Sequence, residues 1–144
     1  MNYDAKTELG KLDKYYPNSN LKHIYVKHRE EIIIILSAIE TIWKKRNLEE
    51  KELSILDKGI ANNWLVVYYY IIGEQINLMI GEIIGIENLL FKSVVNKNWQ
   101  TRFNTIVIMK TIENKEIKNK IIALGLQDKS KKVLEMVIDV KNNY

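Results

Sequence analysis

The step Asn-Trp occurs twice, at Asn63-Trp64 and at Asn98-Trp99, and each copy opens a stretch of apolar residues at helical spacing. An Asn just before such a run is a helix N-cap signal, because its side-chain oxygen takes up an amide that the first turn leaves unpaired. Asn98 follows Asn63 by 98 − 63 = 35 residues, and a third helix start at Ser130 follows after 130 − 98 = 32. Periods of this length belong to stacked helical pairs. A lone hairpin cannot bury its apolar face, so neighbouring pairs bury it between them, and about three are needed for stability.

Breakers divide the rest of the chain. Pro17, the only proline, lies in the turn-forming stretch Tyr15 to Asn20, which separates a short helix over Ala5 to Lys14 from the long segment beginning at Leu21. From Leu21 to Lys45 the positions Leu21, Ile24, Tyr25, His28, Ile32, Ile35, Leu36, Ile39, Ile42 and Trp43 fall at helical spacing, although the run Ile32 to Ile35 is also β-prone and a strand there is the rival reading. Asn47 and Glu50 have the spacing of a capping box for a helix reaching about Ile60. Asn63 is the expected cap of a helix from Trp64 to about Met79. Gly81 and Gly85 then loosen the chain before a helix ending near Val95, and Asn98 caps Trp99 to Ile112. Asn114 precedes Lys115 to Leu126, and Ser130 or Asp128 opens a last helix from Lys131 to about Asn142. Connections this short make neighbours antiparallel. The expected fold is all-α, a single domain over 1–144 in which an N-terminal helical extension (1–46) precedes three stacked antiparallel hairpins (47–144).

Two stretches, VVNKNWQTRFNTIVIMKTI (Val94 to Ile112) and LGLQDKSKKVLEMVIDV (Leu124 to Val140), resemble the second helices of HEAT repeats. Asp128 stands where that pattern has its turn Asp and Val133 where it has an aliphatic residue, with Asn96, Thr101 and Arg102 at the equivalent places one unit earlier. Lys129 replaces the usual proline and Leu134 the usual arginine. The resemblance covers 83–144 best and 48–80 loosely. It implies a HEAT-like α-solenoid in which Arg102 and Asp128 pair as a ladder between neighbouring units; a phosphate or carboxylate contact by Arg102 is the alternative.

Within the Trp99 helix, Thr101, Thr105, Ile108, Met109 and Ile112 form the face toward the partner helix. A second stripe runs through Trp99, Phe103 and Val107, matched upstream by Trp64, Tyr68 and Ile72 and in the last helix by Lys131, Glu135 and Asp139. A stripe that is apolar in inner units and polar in the last packs one second helix on the next and ends in a solvated cap. The alternative is partner contact, for which Trp64, Tyr68, Trp99, Phe103 and Arg102 are the candidate residues.

Little chemistry is written in the chain. It has no cysteine, hence no disulfide, thiolate metal site or thiol nucleophile, which suits the cytoplasm. The N-terminal stretch lacks an apolar signal core, and the most apolar window, Trp64 to Ile86, carries Glu74, Gln75, Asn77 and Glu82, against a membrane span. His23 and His28 diverge by about 140° on a helix, too far to share a metal. Glu30, Glu31, Glu49 and Glu50 sit near expected helix ends, where capping or solvated carboxylates are the rule. No phosphate loop, nucleophile elbow or paired catalytic signature appears. No enzyme, cofactor or metal is expected.

Abundant Ile, Lys and Asn with scarce Ala reflect an AT-rich genome, so lysine number alone says little; its distribution says more. Residues 97–144 carry 10 basic and 5 acidic groups, net +5, whereas residues 61–96 carry 1 and 3, net −2. Lys129, Lys131 and Lys132, together with Lys115, Lys118 and Lys120, lie in the basic third, either as solvated surface or as an electrostatic footprint. Two functional classes are compatible with these features. In size, helical character and lack of cysteine the chain resembles, as a class, bacterial immunity proteins, including those of contact-dependent inhibition. That resemblance implies a non-enzymatic module that neutralises a cognate toxin, a nuclease among the candidates. The basic third then implies an acidic-surfaced toxin domain, bound by occlusion and not by substrate mimicry. The second class is a nucleic-acid-binding HEAT-like protein, against which stands the lack of an arginine cluster.

Overall fold

A computed structural model describes residues 2–143, so Met1 and Tyr144, which bound the expected domain, lie outside the described residues. The described chain is all-helical. In order it forms α1 (Ala5–Tyr15), a 3-10 turn (Tyr16–Asn18), α2 (Lys22–Lys45), α3 (Glu50–Ile60), a π-helix (Val66–Gly73) running directly into α4 (Glu74–Met79), α5 (Ile86–Ser93), α6 (Trp99–Ile108), α7 (Lys115–Gly125) and α8 (Lys131–Asn142). Among the described residues there is no strand, only an isolated parallel bridge between Asn47 and Ile84. The β-prone run lies inside α2, where Ile32 and Ile35 are buried and Ile34 is exposed, a helical and not an alternating pattern.

Three expected caps are in place. Asn98 Oδ1 accepts from the Gln100 amide, Asn114 Oδ1 from Ile117 and Ser130 Oγ from Val133. Two expectations are corrected. Asn47 does not open α3: it is held in the bridge to Ile84, and the helix starts beyond Glu49 without a side-chain cap. Asn63 does not cap the next helix either, since the Trp64 amide is taken at 2.7 Å by Oδ1 of the preceding residue, Asn62. The helix after this turn is not α but π over Val66–Gly73, longer than the single-turn bulges in which π geometry is usually met. Finally, α6 ends at Ile108, four residues before the expected Ile112, in turns closed by the Met109, Lys110 and Thr111 amides.

Packing joins sequence neighbours and also more distant helices. α3 lies on the π-helix, α5 on α6 and α7 on α8; between pairs, α3 meets α5, α5 meets α7, the π-helix meets α6, and α6 meets α8. α2 covers α3 and the π-helix, and α1 lies on α2. The core is aliphatic, with Ile32, Ile39, Ile60, Ile72, Ile86, Leu89, Ile106, Ile108, Ile121 and Val137 withdrawn from solvent. Glycine permits the closest approaches. A Cβ on Gly125 would lie 2.8 Å from both Ile106 Cδ1 and Val137 Cγ2, so α7 meets α6 and α8 at a position without room for a methyl group.

Candidate interaction face

The turns within the three pairs carry a recurring polar device. At each, one side chain two residues before a backbone amide closes a local turn: Asn62 Oδ1 accepts from Trp64, Asn96 Oδ1 from Asn98 and Asp128 Oδ1 from Ser130, at 2.7, 2.8 and 2.8 Å. The same side chain also reaches back to an earlier helix. Asn62 Nδ2 donates to Glu31 Oε2 (2.8 Å) and approaches His28 Nδ1 (3.1 Å) on α2. Asn96 Nδ2 donates to Asp57 Oδ2 on α3 (3.0 Å), whose other oxygen accepts from Ser93. Asp128 accepts from Arg102 Nε on α6 at 2.8 Å. The three side chains stand 96 − 62 = 34 and 128 − 96 = 32 residues apart, one or two positions upstream of the expected caps. The signal of this device was present as an Asn or Asp two residues before Trp64, Asn98 and Ser130, but the nearby Asn63 and Asn98 obscured it.

Arg102 is fully engaged. Its Nε and Nη2 face Asp128, and Nη1 donates to the carbonyls of Asn96 (2.8 Å) and Lys97 (3.0 Å). The two side chains are only 13% and 4% exposed, so this pair fixes the α5–α6 turn against the α7–α8 turn. Asn104, wholly buried, adds a second tie by donating to the carbonyls of Ile60 and Asn62.

The remaining candidates separate into two groups. Tyr68 is buried, and Trp64 is half-buried in an aromatic cluster with Tyr16, Tyr25 and His28, at centroid distances of 5.3, 6.5 and 5.8 Å. Trp64 thus joins the 3-10 turn and α2 to the turn that precedes the π-helix. Trp99, by contrast, is 42% exposed; it meets half-buried Phe103 edge-on at 6.1 Å, and the Lys132 ammonium lies 5.3 Å from its ring centroid. Lys97 and Lys129, both exposed, line the groove beside Arg102, and exposed Lys131 precedes Lys132 at the start of α8. Among the described residues Lys97 and Lys129 have no ion pair, Lys131 has only an exposed 4.0 Å contact with Glu135, and the nearby Asp128 is consumed by Arg102. A groove of about 530 Å³, lined by Val94, Val95, Leu124, Lys97 and Lys129, runs between the two turns beside Arg102. The structure thus brings Trp99, Phe103, Arg102, Lys129, Lys131 and Lys132 together, and places Trp64 and Tyr68 elsewhere.

The acidic pairs are distributed among structural contacts: Glu31 binds Asn62, Glu49 lies 3.4 Å from Lys45, and Glu50 lies 3.7 Å from Lys92. Among the described residues no group of three or more His, Asp or Glu side chains could hold a metal, and no helix is long and apolar enough to cross a membrane. Compared with protein-family profiles, curated proteins and solved structures, the chain matches none.

Proposed function

We propose that this protein is a non-enzymatic binding module of stacked HEAT-like hairpins that recognises an acidic protein surface, and that it serves as an immunity protein occluding a cognate bacterial toxin. One observation carries the reading: an exposed tryptophan, backed by Phe103 and covered by Lys132, lies among lysines that no carboxylate of the described chain neutralises strongly. Aromatic anchors ringed by charge are the usual centre of a protein interface, and unneutralised lysines speed encounter with an acidic partner. The stacked-hairpin part of the reading is supported by the order of helix contacts and by the turn device repeated at Asn62, Asn96 and Asp128. The toxin part rests on class-level resemblance of the chain.

The test uses the Lys129→Glu, Lys131→Glu, Lys132→Glu triple variant and Trp99→Ala. Each is assayed against the product of the adjacent reading frame and against generic duplex and single-stranded DNA at about 0.15 M salt. The expected result is binding to the protein alone, slower association for the triple variant and faster dissociation for Trp99→Ala. Submicromolar binding to DNA, falling steeply with salt and abolished by the triple variant, would establish the nucleic-acid reading instead.

A further inference from the structure

On the far side of α2 from α3, where α1 approaches the π-helix, lies a pocket of about 270 Å³ whose character is opposite to that of the basic face. Three tyrosines line it, Tyr3 from the segment before α1, Tyr16 from the 3-10 turn and Tyr70 from the π-helix, together with two carboxylates, Glu8 and Glu74. No lysine or arginine is part of the lining, in a chain whose net charge is +4. Of the carboxylates, Glu74 is exposed and makes no ion pair among the described residues, while Glu8 has only a 3.3 Å contact with Lys11, itself 70% exposed, a kind of pair that contributes little.

The most telling group is Tyr3. Its side chain is withdrawn from solvent, with 8% of the residue exposed, yet its hydroxyl has no hydrogen-bond partner among the described residues. No fully enclosed side-chain nitrogen or oxygen of the described residues lacks a partner, so the Tyr3 hydroxyl is reached by solvent, and Tyr3 is among the residues that line the pocket. Burial, with the Glu8 and Glu40 carboxylates adding, pushes this phenol well above its ordinary range. The hydroxyl therefore stays protonated, and its oxygen keeps lone pairs free in a negative local field. Glu40 is not part of the lining; its oxygens accept from the Ala5 amide (2.8 Å) and lie near the exposed Lys44 (3.4 Å).

Aromatic faces attract cations through the ring quadrupole, most strongly where water is excluded, and nearby carboxylates add charge complementarity. We propose that the pocket between α1 and the π-helix binds a small alkylammonium ion, with Tyr3, Tyr16 and Tyr70 around the cation, Glu8 and Glu74 balancing its charge, and the Tyr3 hydroxyl accepting one of its N–H groups. The ion comes either from a free amine or from a lysine side chain of another protein. The volume suits a single such group and is at the small end for ligand sites. This site is separate from the basic face, and its test is independent of the toxin reading.

The experiment is titration of the intact protein, followed by amide chemical shifts, with n-butylammonium, tetramethylammonium, Nα-acetyl-lysine methylamide and, as neutral control, n-butanol. Saturable shifts for the cations, confined to α1, the 3-10 turn and the π-helix and absent for n-butanol, are expected. Tyr3→Phe keeps the ring and removes only the acceptor. It should weaken n-butylammonium roughly tenfold, the worth of a hydrogen bond to a charged group, and leave tetramethylammonium, which has no N–H, unchanged. Tyr70→Ala and Glu74→Gln, at exposed positions, should weaken both cations without disturbing the fold. Tighter binding of the lysine derivative than of n-butylammonium would assign the site to a protein lysine, and equal or weaker binding to a free amine. Equal binding of n-butanol, shifts spread over surface carboxylates such as Glu113 and Glu116, or indifference to Tyr70→Ala and Glu74→Gln together would overturn the proposal.

Discussion

At the scale of single residues, Arg102 shows how a side chain that looks like a binding residue becomes scaffold. Each of its nitrogens faces an acceptor of the protein, and Asp128, 4% exposed, has no other cation beside it. Removing the guanidinium leaves a nearly buried carboxylate without its counter-charge, so Arg102→Ala is expected to destabilise the fold by about 3 kcal/mol, measured by urea denaturation. Arg102→Lys should recover little of this, because an ammonium cannot serve two carboxylate oxygens and two carbonyls at once. A variant of wild-type stability that had lost partner binding would return Arg102 to the interaction face. The resemblance to HEAT repeats made the Arg102–Asp128 pair an expectation; the two carbonyls on Nη1 were invisible beforehand, because backbone direction at Asn96 and Lys97 is set only once the turn is folded.

At the scale of elements, α1 has no fully buried residue, resting on the core through half-buried Leu9 and Leu12 and through a polar cluster at its end. Asp13 anchors it: Arg29 on α2 donates to both carboxylate oxygens, at 2.9 and 2.8 Å, and the Tyr25 hydroxyl donates to one of them. Arg29 first and Tyr25 second hold the Asp13 carboxyl down at about 2, while burial first and the bond to Asp13 second push the Tyr25 phenol up to about 12. A depressed carboxyl stabilises the fold fully above its unfolded value of about 3.9, and that contribution is lost as pH falls toward the folded value. A raised phenol acts in the other direction: its contribution is complete below about 10 and is lost as pH rises through the folded value. Urea midpoints should therefore fall between about pH 4 and pH 2 in the wild type. Asp13→Asn should be less stable at neutral pH and show a shallower acid limb, the two proteins converging as the acid end is reached. Parallel acid limbs would show that this cluster does not tie α1 down.

At the scale of the whole molecule, packing runs without a break from α2 through α3 and the π-helix to α6 and α8. Three tryptophans sample it, with Trp43 buried on α2 and bonded to Gln75 at 2.8 Å, Trp64 among the N-terminal aromatics, and Trp99 on the basic face. Because Asn104 and the Asn62, Asn96 and Asp128 turns cross-link successive pairs, single-tryptophan variants should unfold in urea at one midpoint, coincident with the loss of helical circular dichroism. An earlier transition at Trp99 would make the C-terminal pair a separate unit. The charge reversal at Lys129, Lys131 and Lys132 should leave that midpoint within about 0.5 kcal/mol of wild type, since all three side chains are exposed.

By itself the sequence determined that this chain would be helical, roughly where eight of its helices lie, and which faces are apolar, because period, caps and breakers are local properties carried by consecutive residues. Asn98, Asn114 and Ser130 cap their helices as their positions imply, since a cap needs only the next two or three amides. Tertiary structure decided the rest. It drew Asn47 away from α3 into a bridge with Ile84, replaced Asn63 by Asn62 in the turn before the π-helix, buried Tyr68 and half-buried Trp64 among aromatic rings while leaving Trp99 at the surface, and gathered Tyr3, Tyr16 and Tyr70 around two carboxylates. The physical reason is common to all four. Which of two neighbouring asparagines closes a turn, and whether an aromatic ring faces another helix or water, depends on groups tens of residues away, such as His28 and Glu31 for Asn62 and Tyr25 for Trp64, whose proximity no local pattern encodes.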